Sequence, residues 1–195
     1  MNYSIYAEST PNPEVMKFVA NRMLADQSVE INTLQEAKGI SIAEELLRFP
    51  FVKSIYLSSN FISVAKDGEI EWENIAMQLR NFIVDHLNSN EIKNYTANYI
   101  ANKEVITKNT KNEKIKPYND SEREIEAILN EYIAPAVEAD GGAITLNYYK
   151  DNIVCVDLKG ACSGCPSSTS TLKGGIEALL KQKINPNVQV IANEK

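Results

Sequence analysis

Residues 143–160 read "AITLNYYKDNIVCVDLKG", and their pattern decides the architecture of the second half of the chain. Two alternating, β-branched-rich runs flank the polar turn Lys150-Asp151-Asn152. Ile144, Leu146 and Tyr148 share one face of the first run; Val154, Val156 and Leu158 share one face of the second. Alternation with a period of two predicts a hairpin with one buried face. Upstream, Ser121 and Glu124 have capping-box spacing ahead of Ile125, Ile128, Leu129, Tyr132, Ile133, Ala136 and Val137, a long helical stripe. Pro135 falls inside it and is expected to kink or shorten the helix. Asp140-Gly141-Gly142 ends it, read as a turn whose glycines take positive φ. Downstream come the loop "GACSGCPSS" (160–168), a helix through "LKGGIEALLKQKI" (172–184) and a strand "NVQVI" (187–191). The order is α-β-β-α-β.

The first half reads as a separate α+β domain. "YSIYAES" alternates as a strand, "TPNP" (10–13) breaks it, and residues 16–20 and 28–32 are further short strands. Ser41 and Glu44 suggest a capping box, with Ile42, Leu46 and Leu47 as apolar anchors. "FVKSIYL" and "FISVAK" form a hairpin around Ser58-Ser59-Asn60. Trp72, Ile75, Ala76, Leu79, Phe82 and Ile83 then fall on one helical face.

Charge divides the chain in the same way. Residues 1–90 carry net −5, residues 91–119 net +3, and residues 120–195 net −4. The middle piece is rich in Lys and Asn, and "KNTKNEKIKPYND" reads as a flexible linker. The expected domains are therefore 1–90, a linker 91–119, and 120–195. The balance of −6 without a dense Lys/Arg cluster argues against nucleic-acid binding. No apolar run is long enough to span a membrane, and the start lacks signal- or transit-peptide patterning, so a cytoplasmic protein is expected. Three cysteines in a chain of this length do not make a secreted disulfide scaffold.

The chemistry sits in Cys162-Ser163-Gly164-Cys165. The pair lies between a strand end and a helix start, where free N–H groups favour negative charge and hence thiolates. Ser167, Ser168, Thr169 and Ser170 offer further donors or a helix cap. Two thiols leave a Cys₄ site half complete, whether for zinc or for an iron–sulfur cluster. A second copy about a two-fold axis would supply the other two. A redox pair is the competing reading of the same spacing.

Resemblance adds to this reading. "IAPAVEADGGAITL" (133–146) with "LKGACSGCPSSTSTLKGGIEALLKQKINPNVQVI" (158–191) resembles the carboxy-terminal domain of the NifU/Nfu family. The matching features are Pro135 with Asp140-Gly141-Gly142, Cys162-x-x-Cys165-Pro166, and Thr171 with Gly175-Ile176-Glu177. "TPNPEVMKF" (10–18), "FVKSIYLSSNFISVAK" (51–66) and Trp72-Glu73 resemble the amino-terminal domain of two-domain Nfu proteins. The resemblance implies two small α+β domains joined by a polar linker. It also implies an iron–sulfur scaffold or carrier, not an enzyme. Cys162 and Cys165 of each subunit would hold one cluster, 4Fe–4S in preference to 2Fe–2S, across a homodimer. The partners it implies are upstream cluster-assembly proteins and apo iron–sulfur clients. The alternatives are a thiol–disulfide oxidoreductase using Cys162 and Cys165 or a structural zinc Cys₄ dimer.

Other chemistry-bearing residues have plainer readings. Cys155, mid-strand and out of phase with Val154 and Val156, reads as a packing group. His86, the only histidine, continues a helical stripe and reads as packing or capping. Trp72 and Phe82 read as core, and Thr10–Pro13 as a rigid turn.

Overall fold

The computed structural model describes residues 2–89, 119–163 and 166–193. The chain forms two compact units, residues 1–114 and 115–195. The expected linker, apart from Asn119, lies outside the described residues.

The described residues of the first unit form an antiparallel sheet with two helices. Strands β1 (Ile5–Ser9), β2 (Val15–Ala20), β3 (Ala25–Ile31), β4 (Val52–Ser59) and β5 (Phe61–Lys66) lie in the order β1-β2-β5-β4-β3. Helices α1 (Ser41–Leu46) and α2 (Trp72–Ser89) supply the other layer. Phe18, Ile55, Ile62 and Val64 share one core with Leu46, Ile75, Leu79 and Ile83. Burying an aliphatic side chain of this size contributes about 1.5–3 kcal/mol, so this face is what holds α2 to the sheet. The β4–β5 turn is tight: Ser58 pairs with Phe61, and Ser59 takes φ 47°.

Thr10–Pro13 is rigid for identifiable reasons. The Thr10 hydroxyl donates to the Val15 carbonyl at 3.0 Å, and Asn12 Oδ1 accepts the Glu14 N–H at 3.0 Å. The Trp72 indole N–H donates to the Pro13 carbonyl at 2.9 Å, fastening the turn to the start of α2. The Ser41–Glu44 capping box does not form. Ile40 occupies the N-cap, Glu44 instead accepts the Gly39 N–H at 2.8 Å, and Ser41 Oγ lies 3.1 Å from His86 Nε2. Ile40 is wholly buried, so core packing sets where this helix begins. Burial lowers the His86 pKa and Glu45 opposes that shift, as suits a packed side chain.

The second unit has the expected α-β-β-α-β order. Helix α3 (Asp120–Ile128) runs through a π-helical turn (Leu129–Ile133) into α4 (Ala134–Ala139). Strands β6 (Gly142–Lys150) and β7 (Ile153–Gly160) are antiparallel, and β8 (Gln189–Ala192) pairs in parallel with β7. Helix α5 (Pro166–Lys183) connects β7 to β8. Pro135 neither ends nor isolates the helix. The π turn lies just before it, where a wider turn relieves the clash of a proline ring with the preceding turn's carbonyl.

Two expectations change here. The capping box is Asn119 with Glu122, two residues earlier than Ser121 with Glu124. Glu122 does double duty: one oxygen accepts the Asn119 N–H at 2.9 Å and the other the Tyr149 N–H at 3.2 Å. The second correction concerns Tyr148, which does not share the face of Ile144 and Leu146. A register shift between Leu146 and Tyr148 turns Tyr148 outward, 41 % exposed, and packs Tyr149 against the core instead. A bulge residue reverses the phase of everything beyond it.

Candidate functional site

The cysteine loop begins where β7 ends. Gly160 takes φ 61°, and the chain turns through Ala161-Cys162-Ser163 before α5 starts at Pro166. Proline suits a first helical position because its missing N–H would have no intrahelical partner there. Two backbone bonds hold the turn: Ser163 N–H to the Gly160 carbonyl at 3.0 Å, and Ala161 N–H to the Gly141 carbonyl at 3.2 Å. The second reaches across to the Asp140–Gly142 turn. Gly142 itself pairs with Gly160 in the β6–β7 ladder.

Cys162 is 6 % exposed and belongs to the core of Ile144, Val154, Val156 and Ile176. Cys165 and Gly164 lie outside the described residues, as do the side chains of Ser167, Ser168, Thr169 and Ser170. The structure therefore places Cys162 at the predicted loop and leaves the pair undescribed. Cys155, mid-strand, is 4 % exposed and stands apart from the Cys162 core. Burial pushes the Cys155 thiol up; a hydrogen bond with the Tyr148 side chain pulls the other way, and the charge of Asp157 adds to the rise. A thiol held protonated is a poor metal ligand.

Sequence reasoning missed Gly142 as part of this site. Gly141 takes positive φ, 83°, but Gly142 does not. What Gly142 requires is space. A β-carbon there would stand 2.7 Å from the Lys159 carbonyl oxygen, 2.9 Å from Cys162 Sγ and 3.1 Å from the Cys162 nitrogen. The available signal was the doubled glycine at a helix–strand junction where one positive-φ residue suffices.

Among the described residues, no group of three His, Cys, Asp or Glu side chains could hold a metal ion.

Comparison with known proteins covers both units. Residues 5–90 match the family model "Scaffold protein Nfu/NifU N terminal", and residues 125–191 match "NifU-like domain". A human relative named "NFU1 iron-sulfur cluster scaffold homolog, mitochondrial" is 29 % identical over 181 residues, spanning 91 % of this chain and 66 % of its own. A relative of the same name from Drosophila ananassae is 28 % identical over 192 residues, spanning 97 % and 64 %. "NifU-like protein 4, mitochondrial" from Arabidopsis thaliana is 27 % identical over 184 residues, spanning 93 % and 62 %. The chain therefore spans slightly less than two thirds of the length of these relatives.

Proposed function

The chain belongs to the Nfu/NifU scaffold family, and from that premise we propose that it carries an iron–sulfur cluster and hands it to apo-proteins. The observation that carries this reading is the position of Cys162, on a braced turn between the end of β7 and the start of α5. Soft thiolates suit iron–sulfur clusters, and backbone N–H groups near a helix start stabilise the anionic assembly.

In this reading Cys162 and Cys165 of two subunits together ligate one 4Fe–4S cluster. Each subunit then holds only half of the ligands, so an acceptor thiolate can replace them one at a time. Separation of the subunits releases the cargo. The relatives named as iron–sulfur cluster scaffolds support a carrier over the oxidoreductase and zinc-dimer readings. The first unit, with its closed core and its rigid Thr10–Pro13 turn, serves to dock clients or upstream assembly proteins. The cytoplasmic setting belongs to the same proposal, because the ligands have to remain reduced thiols; cell fractionation checks it.

Anaerobic reconstitution with iron and sulfide, followed by transfer to an apo-protein, tests the function. The full chain is expected to bind both elements and activate the acceptor, and residues 120–195 alone to bind them but transfer more slowly to some clients. A chain that acquires no iron or sulfide is not such a carrier. Insulin reduction by the metal-free protein would support the oxidoreductase instead.

A further inference from the structure

We propose that Gly142 is the positioning residue of Cys162: the space left by its missing side chain is the seat of the Cys162 sulfur. The assignment rests on the carrier reading for its purpose, and on geometry for its substance. The Cys162 thiol is buried, and Sγ lies within 2.9 Å of where a Gly142 β-carbon would stand. Real β-carbons do not sit that close to other heavy atoms, so the sulfur can hold this position only beside a glycine. The backbone makes the seat stiff. Gly142 pairs with Gly160, and the Ala161 N–H bonds the Gly141 carbonyl at 3.2 Å, so the two turns cannot simply part.

Other glycines sharpen the contrast. Gly174 and Gly175 on α5 would meet nothing within 4 Å if given a β-carbon. Alanine there adds helix propensity and no clash. Alanine at Gly142 has to displace something, and the neighbours are unequal: the Lys159 oxygen belongs to a paired strand, whereas the Cys162 side chain can rotate. The sulfur is the side-chain group that can yield, and the 2.7 Å approach to the Lys159 oxygen adds a small backbone shift beside it. In the cluster-free protein the seat thus withholds Cys162 from solvent and oxidants, and its tightness governs how readily the thiol is offered.

The test uses the full-length, reduced, cluster-free chain and needs no loaded cargo. Iodoacetamide labelling, mapped by peptide fragmentation, gives separate rates for Cys155, Cys162 and Cys165. In the wild type, Cys162 is expected to react at least about 10-fold more slowly than in the urea-unfolded chain, because reaction needs access to the thiolate. In Gly142→Ala the Cys162 rate rises by at least about 10-fold while Cys155 stays slow, since only the local seat is lost. Gly175→Ala leaves both rates unchanged. Val156→Ala, which loosens the core that Cys162 shares but leaves Gly142 in place, is expected to raise the Cys162 rate by less than Gly142→Ala does. An unprotected Cys162 in the folded wild type overturns the proposal. So does a folded Gly142→Ala with the wild-type rate, or a selective rise in Val156→Ala equal to that of Gly142→Ala. Should Gly142→Ala not fold, the double variant Gly142→Ala/Cys162→Ala carries the test. Removing the sulfur relieves the 2.9 Å approach but not the 2.7 Å one to the Lys159 oxygen, so the double variant is expected to be more stable than Gly142→Ala without reaching the wild type, and no gain overturns the seat. Failure of the carrier reading would show instead as a wild-type chain that keeps these thiol rates but takes up no iron or sulfide.

Discussion

The carboxylate of Glu177 accepts the backbone N–H of Val190 at 3.0 Å, so one side chain of α5 holds the edge strand β8 beside it. Its other oxygen accepts the Lys181 ammonium at 2.6 Å, one helical turn on. Helix α5 is the helix that follows the cysteine loop, and this pair fixes its position against the sheet.

These contacts give Glu177 a pH signature. The hydrogen bond from Lys181, then that from the Val190 N–H, hold its carboxyl below the ordinary value, against the opposing effect of burial. A lowered folded-state pKa stabilises above the unfolded value of 4.5, and the contribution is lost as pH falls through the folded value. Glu177→Gln keeps an acceptor for Val190 but removes the charge. The wild type is expected to melt above Glu177→Gln at neutral pH, with the gap closing as pH falls below 4.5. A gap of constant size from neutral to acidic pH would contradict this.

Helix capping distinguishes two overlapping sequence patterns. Asn119→Ala removes the side-chain acceptor of the Glu122 N–H and is expected to destabilise the second unit by about 1 kcal/mol in urea unfolding. Ser121→Ala, inside the helix, is expected to change stability by less than about 0.5 kcal/mol. The reverse ranking would restore Ser121 as the cap.

That example shows where sequence reading reached and where it stopped. The hairpin around Lys150-Asp151-Asn152, the α2 stripe and the loop position of Cys162 all follow from periodicity and turn chemistry, which are local. Both Asn119-x-x-Glu122 and Ser121-x-x-Glu124 satisfy the capping pattern, and the choice falls to a distant strand. Glu122 also receives the Tyr149 N–H beside the bulge, a contact that no local spacing encodes. The bulge likewise exchanges Tyr148 for Tyr149 at the core, and the Gly142 seat depends on a cysteine twenty residues later in the chain.

Cys155 separates a ligand from a packing residue. Its buried, raised thiol is paired with the Tyr148 side chain and stands apart from the Cys162 core. Cys155→Ala is expected to bind iron and sulfide at the wild-type ratio, measured by metal and sulfide analysis after anaerobic reconstitution. Loss of cluster in that variant would return Cys155 to the ligand set.

The shared-cluster claim stands or falls on the anaerobic native mass of the reconstituted protein. The expected species is two chains plus one 4Fe–4S cluster, with cluster-free protein only for Cys162→Ala. A cluster carried by a single chain, a dimer holding zinc, or a cluster retained by Cys162→Ala would contradict it.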